Sequence, residues 1–99
     1  MTKEERIDLY IKSTKKWGEQ AQIDQIIEEM AELTVALNKY KRMTFYHEPK
    51  NKEKVFENLF VELADVSICL EQMMYMFGED NVEKIKESQL KRFSDEIDN

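Results

Sequence analysis

Apolar residues recur every three or four positions along most of this chain, which is the spacing of one face of an α-helix. The pattern is interrupted at Gly18, around the single proline and at Gly78. It predicts four helices, over residues 3–16, 19–43, 52–77 and 81–95. For the last helix, Asp80 or Asn81 is the predicted cap, and Val82, Ile85, Leu90 and Phe93 are predicted to face inward. Because only two glycines and one proline occur, long helices with short connections are expected. The sequence therefore predicts an all-α fold.

The third predicted helix is apolar on nearly all sides. Its main stripe includes Val55, Leu59 and Val66, while Ile68 and Tyr75 lie on other sides of the cylinder. A helix of this kind belongs at the centre of a bundle or at a subunit interface. We therefore expect one four-helix bundle-like domain over residues 1–99, with a polar tail from about residue 94, assembled as a homodimer or homotetramer.

Two of these helices carry carboxylates inside apolar runs. Glu28, Glu29 and Glu32 lie among Ile, Met, Ala and Leu in the second helix. Glu62 and Asp65 lie among Leu, Phe and Val in the third. Like charges one turn apart on an exposed helix cost about 0.2–0.5 kcal/mol per pair, and burial increases that cost. If the two helices face each other, the acids would form a site for a hard cation such as Mg²⁺, which prefers oxygen ligands.

Spacing alone does not make such a site, because the chain has 21 acidic residues. Glu5 and Asp8 have the same spacing, but they lie among polar residues, where a solvated surface is the simpler interpretation. The apolar surroundings distinguish the pairs Glu29/Glu32 and Glu62/Asp65 from the pair Glu5/Asp8.

The pattern Glu28-Glu29-x-x-Glu32, followed by Glu62-x-x-Asp65, resembles the EExxE and ExxD motifs of the all-α nucleoside triphosphate pyrophosphohydrolases, the MazG-like group. Further similarity to that family lies at Trp17-Gly18, Ala31-Glu32-Leu33, Leu63-Ala64-Asp65-Val66 and Phe77-Gly78. The resemblance covers about residues 7–93.

This resemblance implies hydrolysis of the α–β bond of a (deoxy)nucleoside triphosphate, giving a monophosphate and pyrophosphate. It implies Mg²⁺, with Mn²⁺ as an alternative ion, held by Glu29, Glu32, Glu62 and Asp65. Glu29 would then also be catalytic, and Glu28 is a candidate base for the attacking water. Arg92 matches a basic residue of the family's last helix, whereas the Lys often found shortly before it is replaced by Gln89.

Several other side chains are candidates for binding the substrate. Trp17 either caps the core or forms a flat wall of a nucleobase pocket. Gln22 and Gln25 precede the acids by one to two turns, where they either contact a base edge or face solvent. Lys50 and Lys54 crowd the start of the third helix, against the preference of the helix dipole, so they either bind an anion or form a solvated charge run.

Charge and cysteine content narrow the function classes. A net charge of −6 argues against a nucleic-acid polymer as partner, since such proteins need clustered Lys and Arg. The single Cys69 cannot form an internal disulfide, which favours a buried thiol in a reducing compartment. No apolar run approaches the roughly 20 residues that span a bilayer, and the first residues lack a signal-peptide core. We therefore expect a cytoplasmic protein with no membrane partner.

One rival interpretation stays open on the sequence alone, and a second one lacks the residues that it needs. The carboxylates could form salt bridges with Lys and Arg in a catalytically silent helical interaction or regulatory protein. A di-iron carboxylate bundle normally uses Glu-x-x-His pairs, and the only histidine, His47, falls in the predicted loop. The chain lacks the Gly-rich loop and GK[ST] sequence of kinases and ATPases.

Overall fold

The computed structural model describes all 99 residues and contains four α-helices and no strand. The helices are α1 (Lys3–Trp17), α2 (Glu19–Phe45), α3 (Lys52–Phe77) and α4 (Glu79–Asp98). The all-α prediction with four helices is confirmed. Three helices are longer than predicted, because α1 includes Trp17, α2 continues to Phe45 and α4 extends at both ends. The polar tail is therefore mostly helical.

The helix ends follow from local hydrogen-bonding groups. Thr2 begins α1 with a capping box, in which its hydroxyl accepts from the Glu5 amide and the Glu5 carboxylate accepts from the Thr2 amide. Asn51 begins α3 by accepting from the Lys54 amide at 3.2 Å. Gly18 and Gly78 separate the remaining helices, with φ values of 91° and 111° that disfavour other residues. The predicted cap at Asp80 or Asn81 was wrong, because Gly78 occupies that position without a side-chain bond.

An antiparallel hairpin of α2 and α3 forms the centre of the fold. Its seam buries Ile26 and Ala36 of α2 against apolar residues of α3. The buried α3 residues of this seam are Val55, Leu59, Val66 and Cys69. The predicted burial of the Cys69 thiol is thereby confirmed.

At the N-terminal end of α2, α1 packs across the hairpin and buries Tyr10. Ser13 of α1 donates to Gln22 Oε1 at 3.1 Å, and Gln72 Nε2 of α3 donates to the same oxygen at 2.6 Å. These bonds satisfy two buried carboxamides and fix α1 against both hairpin helices.

The last helix differs from the others in having no buried residue. Its backbone comes close to α3 alone, and an ion pair between Lys3 and Glu79 ties its start to α1 at 2.8 Å. Val82 is half-buried, whereas Ile85, Leu90 and Phe93, which were expected to face inward, are exposed. None of the four helices combines the length and apolarity needed to cross a membrane.

Candidate metal centre

Three of the predicted ligand carboxylates meet between α2 and α3. The residues around them in α2 are strong helix formers, so the run stays helical, and Glu29 and Glu32 lie one turn apart. Glu62 faces them from α3. Each of the three offers a carboxylate oxygen, and these oxygens lie within 4.8 Å of one another. Glu29 and Glu62 are half-buried and Glu32 is exposed, so the cluster lies at the edge of the seam.

The carboxylates of this cluster lack cationic partners within the chain. Glu29 Oε2 and Glu62 Oε2 are both buried without a hydrogen-bond partner. Glu29 Oε1 accepts from Gln25 Nε2 at 2.8 Å, which is a neutral donor. None of the six salt bridges of the chain includes Glu29, Glu32 or Glu62. Buried polar atoms normally have partners, so two unpartnered oxygens within one carboxylate cluster are a candidate site for a cation.

The electrostatics of the cluster agree with its geometry. Burial raises the pKa of Glu29, and the charges of Glu32 and Asp65 raise it further. Burial likewise raises the pKa of Glu32, followed by the charges of Glu62 and Glu28. Desolvation and mutual repulsion therefore act together to disfavour the ionised carboxylates. A divalent cation would reverse both effects.

Two other predicted residues flank the cluster without joining its three oxygens. Asp65 is half-buried one turn beyond Glu62, and its charge contributes to the raised pKa of Glu29 and of Glu32. Glu28 is exposed and contributes in the same way. The structure therefore brings three of the four predicted ligands together and leaves Asp65 and Glu28 close enough to act on them electrostatically.

A cleft of about 290 Å³ extends from the cluster between the two helices. Glu32 and Glu62 form one part of its lining, and Lys39 and Asn58 form another. Lys39 is half-buried and makes no ion pair. Neither residue is among the site residues predicted from the sequence. Lys39 follows Glu32 by two helical turns, and Asn58 precedes Glu62 by one turn, so helical spacing could have identified both.

A second pocket of about 390 Å³ adjoins the cluster near the start of α2. It is lined by Trp17, Ala21, Gln22 and Gln25. Trp17 is 62% exposed, so it forms a wall of the pocket and does not cap the core. Gln22 directs its carboxamide toward Ser13 and Gln72, and Gln25 leaves its Oε1 free while its Nε2 contacts Glu29. Gln25 thus connects the pocket to the carboxylates.

Lys50, Lys54 and Arg92, the three basic residues predicted to bind substrate, make no contact with the carboxylate cluster. Lys50 pairs with Glu48 at 3.1 Å, and exposed Lys54 occupies the first turn of α3. Arg92 lies on α4 and pairs with Glu96 of the same helix at 3.4 Å. None of the three forms a hydrogen bond or ion pair with the carboxylate cluster.

Comparison with known proteins gives no relative of this chain. No protein-family model, no curated protein and no solved structure matches it.

Proposed function

We propose that this chain is a Mg²⁺-dependent nucleoside triphosphate pyrophosphohydrolase, which cleaves a (deoxy)nucleoside triphosphate into the monophosphate and pyrophosphate. The observation that carries the proposal is the set of three carboxylates on facing helices, two of which keep a buried oxygen without a partner. The resemblance of the two acidic motifs to the MazG-like enzymes supports the same assignment.

The donor set fits Mg²⁺, and Mn²⁺ as an alternative. All three clustered ligand atoms are carboxylate oxygens, which hard divalent cations prefer, and Asp65 offers a fourth carboxylate on the same side of α3. When bound, such an ion neutralises phosphate charge and makes water a better nucleophile at neutral pH. Glu29, Glu32, Glu62 and Asp65 would hold it.

The remaining side chains supply orientation and proton transfer. Glu28 is exposed beside the cluster and can accept the proton of a water that attacks the α-phosphorus. Lys39 and Asn58 line the cleft next to Glu32 and Glu62, where they can contact phosphate oxygens. Trp17 offers a flat face for a base, and Gln25 Oε1 offers an acceptor toward its edge.

We include in the proposal that the enzyme is a homodimer or homotetramer, since most large apolar side chains reach the surface of the single chain. Those exposed side chains also favour the second candidate function, a helical interaction protein without catalysis. That alternative leaves the unpartnered oxygens of Glu29 and Glu62 without a role.

The decisive experiment incubates the protein with Mg²⁺ and a panel of nucleoside and deoxynucleoside triphosphates in ¹⁸O-labelled water. We expect monophosphate and pyrophosphate in equal amounts, with the label in the monophosphate because water attacks the α-phosphorus. Diphosphate with orthophosphate would refute the mechanism, and label in pyrophosphate would move the attack to the β-phosphorus. No turnover with any nucleotide would favour the interaction protein.

A further inference from the structure

The largest recess of the protein lies at the end of α2 and shares no lining residue with the candidate metal centre. It has a volume of about 670 Å³. Its lining comes from the last turns of α2 and from the loop that follows, and consists of Asn38, Lys41, Arg42, Tyr46 and Glu48. We call it the loop recess. Clefts of roughly 300–1,000 Å³ are typical of small-molecule sites, so the loop recess has the size of such a site.

The loop that forms one wall of the recess is folded back over the end of α2. The carbonyl oxygen of Arg42 accepts from the Tyr46 amide at 3.2 Å and from the Glu48 amide at 3.1 Å. Between these two residues, His47 has a φ of 54°, a left-handed conformation that residues with a side chain seldom adopt. Such strain persists only where the surrounding structure holds it, and it clusters at functional sites. The loop therefore holds Tyr46 and Glu48 in a defined position beside the recess.

The end of the hairpin around the recess is basic in an acidic protein. Residues 39–54 carry a net charge of +4, whereas the other 83 residues carry −10. Lys41 makes no ion pair. Glu48 is held between two cations, Arg42 Nε at 3.3 Å and Lys50 Nζ at 3.1 Å. Because Arg42 uses only its Nε in this pair, both of its Nη atoms can donate to a bound anion.

The other two lining side chains provide groups that recognise a flat ring. Tyr46 is 69% exposed, so a ligand in the recess can reach its ring. Asn38 is exposed and directs its carboxamide to the same recess. Aromatic side chains stack on nucleobases, and a carboxamide both donates to and accepts from a base edge. The recess therefore combines cations for a phosphate with a stacking surface and a polar edge for a base.

We infer that the loop recess binds a mononucleotide. Lys41 and the Nη atoms of Arg42 would contact its phosphate, and Tyr46 would stack on its base. A longer nucleic-acid strand fits less well, since the charge of −10 outside residues 39–54 repels phosphates that extend beyond the recess. The site is separate from the carboxylate cluster and requires no metal ion. This inference does not depend on the proposed catalysis.

Amide chemical-shift mapping by NMR tests the inference and locates the ligand. The ¹⁵N-labelled protein is titrated with the four common ribonucleoside 5′-monophosphates in EDTA, which keeps divalent cations from the carboxylate cluster. We expect saturable shifts of amides within residues 38–48 for at least one monophosphate. The matching nucleoside and inorganic phosphate should each bind at least about 10-fold more weakly, because each lacks one of the two groups that the recess recognises.

Two variants assign the contacts, and a third is the control. Lys41→Gln should raise the dissociation constants of the nucleotide and of inorganic phosphate by about 10-fold or more. Tyr46→Leu should weaken the nucleotide by about 5-fold or more and leave inorganic phosphate unchanged, because it removes stacking alone. Lys86→Gln removes the same charge from an exposed position of α4 and should bind the nucleotide like the wild type. The amide spectrum of each variant also shows whether it is folded.

Four outcomes would overturn the inference, and none of them depends on turnover. The first is the absence of saturable shifts within residues 38–48, including shifts confined to the pocket beside Trp17. The second is inorganic phosphate that binds as tightly as the nucleotide, which would make the recess a nonspecific anion site. The third is an equal effect of Lys41→Gln and Lys86→Gln. The fourth is a single-stranded oligonucleotide that binds the recess more tightly than any mononucleotide.

Discussion

The α2–α3 hairpin carries two sets of carboxylates with opposite surroundings. The first set is Glu71 alone, and the second is the cluster of Glu29, Glu32 and Glu62. Glu71 of α3 accepts from Arg6 Nε and from the Tyr10 hydroxyl, both at 2.7 Å, and its second oxygen accepts from Arg6 Nη2 at 3.2 Å. These bonds, with that of Arg6 the largest influence, lower the pKa of Glu71. Burial raises the pKa of Glu29 and of Glu32. The fold supplies hydrogen-bond partners for Glu71, whereas one oxygen of Glu29 and one of Glu62 stay buried without a partner.

A shortage of positive charge does not explain the difference. The chain has 15 Lys and Arg residues, and α1 directs Arg6 at Glu71. Lys39 lines the cleft beside Glu32, yet it makes no ion pair. Cationic side chains are thus available near the cluster without neutralising it. Carboxylates that stabilise the fold can therefore be told apart by their hydrogen bonds from those that are candidates for binding a cation.

The largest expected difference between the two sets is in nucleotide turnover. Replacing Glu62 by Gln removes one of the three clustered carboxylates, and we expect turnover of the best nucleotide to fall by about 100-fold or more. Mutation of residues that only hydrogen-bond to metal ligands already costs about 10–100-fold in metal affinity or activity. Glu71→Gln is the control and should retain turnover at a temperature where it is folded. Equal losses for both variants would show that the cluster has no special role.

The second largest expected difference is in how much a divalent cation stabilises the fold. At about a hundred times its dissociation constant, Mg²⁺ or Mn²⁺ should raise the free energy of unfolding by about 2.7 kcal/mol. We expect Glu32→Gln to remove most of this increase and Glu71→Gln to preserve it. Thermal melts with and without the ion measure both. An unchanged response in Glu32→Gln would exclude Glu32 as a ligand.

The smallest effect concerns stability without metal. Because the pKa of Glu71 lies below its usual 4.5 in the folded protein, its ionised form stabilises the fold above that pH, and the contribution is lost as the pH falls through the folded-state pKa. At pH 7, Glu71→Gln should lower the free energy of unfolding by about 1 kcal/mol, allowing for its partial exposure.

Urea titrations across a pH series provide the measurement for Glu71. The difference from the wild type should shrink as the pH falls below 4.5. Glu32→Gln should not lower the apo stability, because it relieves repulsion. Glu57→Gln, an exposed α3 carboxylate without an ion pair, controls for the loss of one charge. A loss of stability in Glu32→Gln that equals the loss in Glu71→Gln would contradict the comparison.

Helical periodicity was sufficient to predict the four helices, and α3 has the predicted bounds. The positions at which helices begin were harder to predict where the N-cap residue is a glycine. At Gly78 the chain turns through a positive φ and α4 begins at once, so polar residues downstream were mistaken for the cap. For α4, amphipathic spacing identified the apolar side but not what covers it, because one sequence does not show whether the partner helix belongs to the same chain.

The sequence predicted which residues come together at the candidate site, but it predicted few of their hydrogen bonds. The apolar surroundings of the acidic pairs and the resemblance to the MazG-like motifs selected Glu29, Glu32 and Glu62, and facing helices bring these positions together. The role of Gln22 could not be predicted in the same way, since its hydrogen bonds involve Ser13 and Gln72, which are distant in sequence. Side-chain partners across helices depend on rotamers and crossing geometry, which periodicity does not contain.

The bond from Gln25 to Glu29 has a consequence for how two ligands would influence each other. Gln25 lines the pocket beside Trp17 and holds Glu29 Oε1 at 2.8 Å, so one carboxamide touches both places. An occupant that reorients Gln25 would alter a carboxylate oxygen of the proposed ion site, and an ion that draws Glu29 toward itself would alter the pocket. Thermodynamic reciprocity requires that each ligand change the affinity of the other by the same factor.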